Sequence, residues 1–454
     1  MAVWSEATTT EILATRRIDA EFSQPKYLEA ERKTRSCKAE NLGNLGTFVP
    51  GPFGSSFRVS NYDFQSPYRY IRGQDVKPFF ILEDDSRFIP QADFIRLQHY
   101  AVKNDDLMIS VVGTLGNVAV CTERVTPAMF SCKSTIFRSE KGDPYYLLAY
   151  LNSHFGQLCL LRRQRGAIQM GLNIEDLRSI PIPRLGEYEE GRIAEKVRKA
   201  HDELISSRES YQSAQQLLES ELGLDKLSFQ KPVGYTAQFS ELELSRRLDA
   251  QHYQAQFTQL LAHLANFPTR KIRDIRTCNR RGIQPIYERD GAYDVINSQH
   301  LGPKHINYDG LEKTSPQAFS ASPVAHIRQN DLLIYTTGAY IGRTNVYLSN
   351  APAFASNHVN ILRVTPDIDA AYMAMIFQSV VGQFQTQKHS RGSAQAELYP
   401  NDIDKFVVPI LPFEQQTIIG DLVRESLVKQ RESARLLEQA KTRVEQLIEE
   451  AVNS

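Results

Sequence analysis

Two stretches of the chain, residues 104–120 and 330–346, follow one pattern. The first reads NDDLMISVVGTLGNVAV and the second reads NDLLIYTTGAYIGRTNV. In each, an Asp precedes an apolar strand, which leads through a Gly, a short turn and a second Gly into another strand. Because the same unit occurs twice, about half a chain apart, the sequence predicts an internal repeat. We expect each copy to lie at the centre of one of two equivalent modules.

The repeat extends on both sides of these hairpins. Upstream, the RIDA run that starts at Arg17 returns as RLDA from Arg247. Downstream, each copy continues with an alternating strand, a helix, and a basic loop that contains an Arg-Gly pair. The matched segments are the strands 131–138 and 356–363, the helices 144–161 and 370–387, and the basic loops 162–170 and 388–396. A helix over residues 16–33, with Pro25 as a kink or a second start, is also expected.

Each copy is followed by a long, Gly-poor helix, over residues 189–222 and 412–452. Narrow apolar stripes on polar helices favour coiled-coil packing, although two independent amphipathic helices fit the same pattern. The stripe positions are Ile193, Val197, Leu204, Leu218 and Leu222 in the first helix, and Ile418, Leu422, Leu436, Val444, Leu447 and Ile448 in the second. The predicted fold class is therefore α+β, with two repeated mixed α/β domains joined by two long helices.

Composition and charge exclude several protein classes. The 454 residues carry 53 Lys and Arg against 53 Asp and Glu, which argues against a protein that coats nucleic acid without sequence preference. The polar N-terminus and the lack of a long apolar run predict a cytoplasmic protein without a membrane span. None of the five cysteines forms a Cys-x-x-Cys pair, so neither a zinc site nor a disulfide framework is indicated.

Known catalytic signatures are also missing from the sequence. It contains no phosphate-binding Walker loop, no His-Glu-x-x-His and no Gly-x-Ser-x-Gly. The run Asp143-Pro-Tyr-Tyr comes nearest to an adenine methyltransferase motif, but it lacks the second Pro and sits where a helix N-cap is expected. We therefore predict a protein without catalysis, metal or cofactor of its own, and expect any chemistry in its partners.

At this point the motifs resemble a known family. The GPFGS run at Gly51, the YIRGQDV run at Tyr70, the twin Gly-bounded hairpins, the Leu-x-x-x-Asp-Leu/Ile…Pro module ends and the PFEQQTI run at Pro412 are similar to those of type I restriction–modification specificity subunits. Each motif alone is a moderate signal of the resemblance. Their order is repeated twice, each time followed by a long helix, and together they cover nearly the whole chain. The resemblance implies target-recognition domains at residues 1–186 and 229–411, with the long helices at 187–228 and 412–454 packed as an antiparallel pair.

The resemblance also implies a function and partners. Each recognition domain would bind one half of a bipartite, asymmetric site on double-stranded DNA, with a nonspecific spacer between the halves. Two adenine-methylating modification subunits would dock on the helices, and restriction subunits would join the full complex. Two departures are visible: residues 189–193 lack the Glu-Gln pair found at 414–415, and the second hairpin turn, from Gly338 to Gly342, has one extra residue.

Candidate DNA contacts come from three places in each module. Side chains that reach base edges and cations that neutralise phosphates are needed, and the basic loops supply both. The candidates are Arg162, Arg163, Arg165, Gln169, Lys388, His389, Arg391 and Gln395 in the basic loops; Ser110, Thr114, Asn117, Tyr335, Thr336, Thr337 and Arg343 at the hairpin turns; and Lys133, Asn357 and His358 at a strand start. Solvated loops, ordinary hairpin turns and strand-end caps would explain the same residues without DNA. The basic loops are the stronger candidates.

A second function stays open from the sequence alone. The chain could be a repeat-built interaction scaffold whose helices dock partner proteins without reading DNA. Its zero formal net charge favours that alternative. A positive surface concentrated on the same side of both modules would favour DNA reading instead.

Overall fold

The computed structural model describes residues 6, 9–15, 17–52, 54–166, 169–229, 234–392 and 395–453. Parts of the polar N-terminus, Phe53 of the GPFGS run, and residues 167–168 and 393–394 of the basic loops lie outside the described residues. The chain forms two compact units, Met1–Glu203 with Arg431–Ser454, and Leu204–Gln430. The predicted domain boundaries at 186, 228 and 411 stay a prediction.

The first unit contains the first module and the N-terminal half of a long helix. Its elements are α1 (Thr9–Thr15), α2 (Pro25–Arg35), β1 (Glu40–Asn41), β2 (Gly46–Pro50), β3 (Tyr68–Ile71), β4 (Arg87–Ile89), α3 (Gln91–Arg96), β5 (Leu107–Ser110), β6 (Val118–Val120), β7 (Ala128–Phe130), β8 (Ser134–Ser139), α4 (Pro144–Asn152), α5 (His154–Leu161), α6 (Ile174–Arg178), β9 (Pro181–Ile182) and α7 (Glu187–Glu221).

The second unit begins within α7 and repeats this order. Its elements are α8 (Phe239–Ser245), α9 (Ala255–Leu264), β10 (Thr269–Lys271), α10 (Ile272–Ile275), β11 (Arg276–Arg281), β12 (Tyr293–Ile296), β13 (Glu312–Thr314), α11 (Pro316–Ser320), β14 (His326–Ile327), β15 (Asp331–Tyr335), β16 (Thr344–Tyr347), β17 (Ala353–Ala355), β18 (Val359–Val364), α12 (Ala370–Gln378), α13 (Val380–His389), α14 (Pro400–Ile403), β19 (Val407–Pro409) and α15 (Phe413–Asn453).

The two main sheets of each module correspond, except that the second sheet has one more strand, β14, in the second module. A four-stranded antiparallel sheet has the order β2-β8-β5-β6 in the first module and β11-β18-β15-β16 in the second. A second sheet has the order β4-β3-β7 in the first module and β13-β12-β17-β14 in the second, with one parallel pair in each, β3 with β7 and β12 with β17. The predicted internal repeat is therefore present in the topology.

The strand of each opening hairpin is buried on both faces. In β5, Leu107 and Ile109 pack into the core formed with the helices, whereas Met108 packs into a second core with the smaller sheet. In β15, Leu332 and Ile334 likewise pack into the core formed with the helices, whereas Leu333 packs into the core with the smaller sheet. Because successive side chains of a strand point to opposite faces, a continuous apolar run suits a strand between two cores.

A buried carboxylate anchors the start of each of these strands. Arg138 donates two hydrogen bonds of 2.8 Å to Asp106, and Arg363 donates bonds of 2.6 and 2.7 Å to Asp331. Both Asp side chains are fully buried, so the paired guanidinium group offsets the cost of removing the charge from water. The Asp that opens each sequence motif therefore ties β5 to β8 and β15 to β18.

The long helices pack against each other within each unit. In the first unit, Ile193, Val197 and Ala200 of α7 share a core with Leu436, Ala440 and Val444 of α15. In the second unit, Tyr211, Ala214 and Leu218 share a core with Ile419, Val423 and Leu427. The start of α7 thus faces the end of α15, which confirms the predicted antiparallel pair. Buried serines join the helices, since Ser433 Oγ donates to Ala200 O over 2.7 Å and Ser207 Oγ donates to Ser426 O over 2.7 Å.

One predicted stripe position is wrong. Ile418 is 49% exposed, whereas its neighbour Ile419 is fully buried. The sequence motifs aligned residues 189–193 with 414–418, but the connection from β18 to α12 is one residue longer than the connection from β8 to α4, which shifts the repeat by one. Glu190 and Gln416 occupy matching places, since Glu190 accepts from Leu185 N over 2.8 Å and Gln416 donates to Leu411 O over 2.8 Å. One residue turns a helix by about 100°, which moves Ile418 off the packed face.

Three predicted helices end differently from the sequence expectation. The helix expected over residues 16–33 begins only at Pro25 and extends to Arg35. The helix expected over 144–161 is broken at Ser153, and the one over 370–387 is broken at Ser379 and reaches His389. Each Ser caps the following helix, because its Oγ accepts a backbone N–H. Both breaks fall at the same place in the repeat.

Two glycines in the long helices should respond in opposite ways to alanine. A Cβ at Gly420 would lie within 3.0 Å of the Asp369 carboxylate, whereas a Cβ at Gly191 would meet nothing within 4 Å. We expect Gly420→Ala to lower the free energy of unfolding of the second unit by about 1–3 kcal/mol through overpacking. Gly191→Ala is the matched control and should raise the free energy of unfolding of the first unit by about 0.5–1 kcal/mol. Chemical denaturation measures both, and equal effects would contradict the packing at Gly420.

Candidate nucleic-acid interface

In each module, backbone hydrogen bonds join the two ends of a short segment, and we call its described residues, 165–166 with 169–171 and 391–392 with 395–397, the clasp loops. Arg165 N donates to Gly171 O over 2.8 Å, and Gly171 N donates back over 2.7 Å. Arg391 and Glu397 exchange the same two bonds at 2.8 and 2.7 Å. The second residue of each loop, Gly166 or Gly392, has a φ of +119° or +98°. L side chains rarely adopt such angles, so glycine is needed there.

The first residue of each clasp loop is an arginine with a fixed carboxylate partner. Arg165 forms a two-point ion pair with Asp176, with Nη2 at 2.7 Å from Oδ1. Arg391 Nη2 lies 3.0 Å from Asp402 Oδ1. The two arginine side chains are 46% and 51% exposed. Each guanidinium group therefore keeps N–H groups at the surface while one edge is held in place.

A second arginine in each module donates a hydrogen bond to the residue that precedes the clasp loop. Arg17 binds Asp19 with two hydrogen bonds of 2.8 Å and donates to Gln164 O over 2.9 Å. Arg247 binds Asp249 at 2.7 and 2.6 Å and donates to Ser390 O over 2.8 Å. The RIDA and RLDA runs thus hold the carbonyl just before each clasp-loop arginine. This role of the two runs was not predicted from the sequence. The signal that could have revealed it is that the runs and the Arg-Gly pairs both recur in the two modules.

Two predicted DNA contacts in the first basic loop are internal. Arg162 and Arg163 are only 8% and 3% exposed. Arg162 Nη1 lies 2.6 Å from Glu31 Oε2, and Arg163 Nη1 lies 3.1 Å from the same atom. Burial alone would raise the pKa of Glu31, but Arg163 and Arg162 outweigh it and lower the pKa from 4.5 to about 2. We therefore leave both arginines out of the proposed DNA surface.

The matching residues of the second module, Lys388 and His389, also turn inward. Lys388 Nζ donates to His252 O over 3.0 Å, and its backbone oxygen lies 2.7 Å from His252 Nδ1. The His389 ring stacks on Phe406 at 5.7 Å. Burial, helped by the neighbouring His252, Lys388 and Lys405, lowers the pKa of His389 from 6.5 to about 3. Among the described residues of the two basic loops, Arg165, Gly166 and Gln169, and Arg391, Gly392 and Gln395, are exposed.

Three predicted contacts at the hairpin turns are buried. Ser110 and Thr336 are fully buried and Thr337 is 6% exposed. Ser110 Oγ donates to Thr114 O over 2.5 Å, and Thr336 Oγ1 donates to His358 O over 2.9 Å. These hydroxyl groups form internal hydrogen bonds to the backbone, so we do not include them in the proposed DNA surface. Burial at these positions follows from tertiary packing, which the polar residue types do not reveal.

Other turn residues remain at the surface and differ between the modules. In the first module, Thr114 is exposed, and Asn117 is half-buried with its Nδ2 donating to Val76 O over 2.9 Å. In the second module, the Arg343 guanidinium lies 3.7 Å from the ring centre of Tyr340, which is 55% exposed. Tyr335 meets Tyr340 edge to face at 6.4 Å. Tyr340 was missed as a candidate, although it belongs to the longer turn that the sequence showed.

The strand-start candidates lie beside these turns. Lys133 and His358 are exposed, and Asn357 is half-buried next to His358. Val111 N donates to Lys133 O over 2.9 Å, and Thr336 N donates to His358 O over 3.1 Å. We call the exposed and half-buried turn and strand-start residues the turn patches: Thr114, Asn117 and Lys133 in the first module, and Tyr335, Tyr340, Arg343, Asn357 and His358 in the second.

Backbone hydrogen bonds place each clasp loop against its turn patch. Leu172 N donates to Val111 O over 3.0 Å in the first module. In the second, Leu398 N donates to Thr336 O over 2.9 Å and Gly338 N donates to Ala396 O over 3.0 Å. Each module therefore combines a fixed clasp loop and a variable turn patch in one continuous surface.

Asp143, in the run nearest to a methyltransferase motif, caps a helix as expected. Its Oδ1 accepts from Tyr145 N over 2.9 Å, and Arg198 of α7 pairs with the carboxylate at 2.8 Å. Within the described ranges there is no group of three or more His, Cys, Asp or Glu side chains that could hold a metal ion. All five cysteines are free thiols. No helix in the described part of the chain is long and apolar enough to cross a membrane.

A charged groove lies between the long helices of the first unit. Its volume is about 540 Å³. The charged side chains of its wall are Glu189, Arg192, Lys196, Arg435, Glu438 and Arg443. Arg443 joins the two helices, since its Nε donates to Glu189 over 3.1 Å. This outer face of the helix pair is open, in contrast to the inner face that packs on the module.

Comparison with known structures finds likenesses that extend over most of the chain. The type I restriction–modification S subunit from M. genitalium is 12% identical with a TM-score of 0.47, over 91% of this chain and 95% of that chain. The HsdS subunit from Thermoanaerobacter tengcongensis is 14% identical with a TM-score of 0.29, over 90% and 96%. No protein-family profile and no curated protein sequence matches. At such values the likeness assigns no residue roles to this chain.

Proposed function

We propose that the chain is a non-catalytic subunit that recognises a specific DNA sequence for a type I restriction–modification complex. Each module binds one half of a bipartite, asymmetric site on double-stranded DNA. The helix pair sets the spacer between the halves and docks two modification subunits, and restriction subunits join the full complex. Methylation and cleavage then belong to those partners.

One observation carries this proposal. Both modules present the same clasp loop beside a turn patch whose residues differ, as at Asn117 against Arg343 and Lys133 against His358. Exposed cations and amides on rigid loops are suited to phosphates and base edges. Two modules with the same backbone arrangement and different side chains suit a target made of two different half-sites. The sequence motifs shared with specificity subunits point to the same function.

The open groove on the helix pair supports the docking of protein partners. Its charged residues are of both signs, with Glu189 and Glu438 among four cations. Such a surface suits specific pairing with polar helices, since complementary charges set partner choice and register.

Selection from random duplexes by the chain in complex with its modification subunit tests this function. We expect a split consensus with a spacer of fixed length. Arg343→Ala should relax base preference in one half-site by about 1–3 kcal/mol per lost contact and leave the other half-site unchanged. Asn117→Ala is the matched variant in the first module and should affect only the opposite half-site.

Two outcomes would contradict the proposal. A wild-type complex that enriches no split site would favour the interaction scaffold instead. An equal loss of preference at both half-sites in Arg343→Ala would show that the modules do not act separately. A melting curve of each variant, recorded in the complex, checks that the fold is intact.

A further inference from the structure

The two clasp loops are similar to each other at every exposed residue that the structure describes. Both start with an Arg held by a carboxylate, continue with a Gly in the left-handed region and carry an exposed Gln three residues later. A Cβ on either Gly would lie within 3.0 Å of the carbonyl oxygen of Gln169 or Gln395. At the described positions both loops therefore share the same backbone contact, and their exposed side chains, Arg165 with Gln169 and Arg391 with Gln395, are of the same type.

The turn patches differ in every exposed side chain. The second turn has one residue more, which adds the ring of Tyr340 beneath Arg343. At the matching strand starts, Lys133 stands where the second module has His358. Cations, amides and aromatic rings present different donors and apolar surfaces to the major groove. These positions can therefore discriminate between different base pairs.

Equal loops cannot distinguish unequal half-sites. If the modules bind different base sequences, as the proposed function states, a residue of the same type in the same posture in both can recognise only what both half-sites share. Every duplex shares its phosphate backbone, and phosphate contacts fix the register of a protein on DNA without reading sequence. An arginine with one edge held by Asp176 or Asp402 still offers other N–H groups to a phosphate oxygen.

We propose that the clasp loops bind the DNA backbone in both modules, with Arg165 and Arg391 each contacting one phosphate and Gln169 and Gln395 supporting that contact. The turn patches then determine the bases, through Thr114, Asn117 and Lys133 in the first module and Tyr340, Arg343 and His358 in the second. This division of roles rests on the proposed function. It reverses the sequence-based ranking, in which the basic loops are the stronger candidates for reading bases.

The carboxylate partners fit a positioning role for the clasp-loop arginines. Asp402 is buried and is also bound by Lys405 Nζ at 2.9 Å. Burial alone would raise the pKa of Asp402, but Lys405 and Arg391 outweigh it and lower the pKa. The carboxylate therefore stays charged and holds the guanidinium in one orientation before DNA binds. A contact made in advance of binding costs little ordering entropy.

Binding measurements at several salt concentrations test the division of roles, using the chain in complex with its modification subunit. The duplexes carry either the selected site or the same site with one half scrambled. Arg165→Ala and Arg391→Ala should each weaken binding to all duplexes by the same factor. Each should also reduce the slope of log K against log salt by about 1, the expected loss of one phosphate contact. The selected consensus should not change.

Arg391→Lys is the control that preserves charge. On a phosphate, Lys should keep the salt slope and the consensus, whereas a bidentate contact to guanine would be lost and the consensus would relax. This variant also distinguishes a phosphate contact from a guanine contact if Arg391→Ala fails to fold. An altered base preference in any clasp-loop variant, or an unchanged salt slope in both alanine variants, overturns the proposal. A wild-type complex that selects no split site refutes the proposed function instead, while the salt slope still tests the phosphate contact.

Discussion

Glu31→Ala should lower the free energy of unfolding of the first unit by about 3–5 kcal/mol. The Glu31 carboxylate is the common partner of Arg162 and Arg163, at 2.6 and 3.1 Å, and also pairs with Arg35 at 2.7 Å. Arg162 and Arg163 are nearly inaccessible to water, so removal of the carboxylate leaves two buried cations without their counter-charge. Burial of an uncompensated charge costs far more than the loss of a surface ion pair.

Glu29→Ala is the matched control on the same helix. The Glu29 side chain is 60% exposed and lies 3.3 Å from Lys33, so we expect a change of at most about 0.5 kcal/mol. Hydrogen exchange at rising urea concentration measures both variants, because peptides from α2 and α5 report on the first unit alone. Equal effects of the two substitutions would show that the buried network does not stabilise the unit.

The second module has no carboxylate at the position that matches Glu31. Leu261 stands at the position that matches Glu31, and Lys388 and His389 replace the two arginines. Lys388 reaches a backbone oxygen, and burial lowers the pKa of both Lys388 and His389. A network with a buried carboxylate in one module and one without it in the other therefore occupy equivalent sites. We expect Glu31→Ala to leave the second unit unchanged.

The repeat, the strands and the long helices could be predicted because their signals are local. An apolar run behind an Asp, bounded by two Gly residues, specifies β5 or β15 and its turn without knowledge of the rest of the chain. The helix pair followed from narrow apolar stripes, and one stripe position was wrong because Ile418 and Ile419 are adjacent apolar residues of which only Ile419 is buried. Errors in helix ends, as at Ser153 and Ser379, arose because a capping Ser inside a helical pattern is ambiguous.

The site was harder to predict because burial depends on distant partners. Arg162 and Arg163 have the composition of a DNA-binding loop, yet their partner Glu31 lies 131 positions upstream of Arg162. Ser110 and Thr336 are polar residues at turns, and only the packing of the neighbouring strand shows that they face inward. By contrast, Arg165 and Arg391 are at the surface, and the Gly that follows each one was the local signal of their shared geometry.

The second unit should lose stability as the pH falls from 6.5 towards 3. In the unfolded chain His389 takes up a proton near pH 6.5, whereas the folded ring has a pKa of about 3. Above pH 6.5 the ring is neutral in both states and pH has no effect; below it, protonation favours the unfolded state. A difference of about 3.5 pKa units corresponds to a loss of up to about 5 kcal/mol, complete only near pH 3.

The first unit should respond at lower pH, which separates the two units in one experiment. The stabilising charge of Glu31 is fully present above its unfolded pKa of 4.5 and is lost as the pH falls through its folded pKa of about 2. Hydrogen exchange between pH 7 and 4, corrected for the intrinsic rate, should therefore show opening in α13 of the second unit before α5 of the first.

His389→Phe isolates the contribution of this ring. Phe keeps the stacking on Phe406 but cannot take up a proton, so the decline of stability between pH 6.5 and 4 should become shallower. A residual slope should remain, because burial also lowers the pKa of the neighbouring His252. His358→Gln, at an exposed position, is the control and should leave the decline unchanged. If His389→Phe and wild type show the same pH dependence, the neutral state of the half-buried His389 ring is not what makes the second unit sensitive to acid.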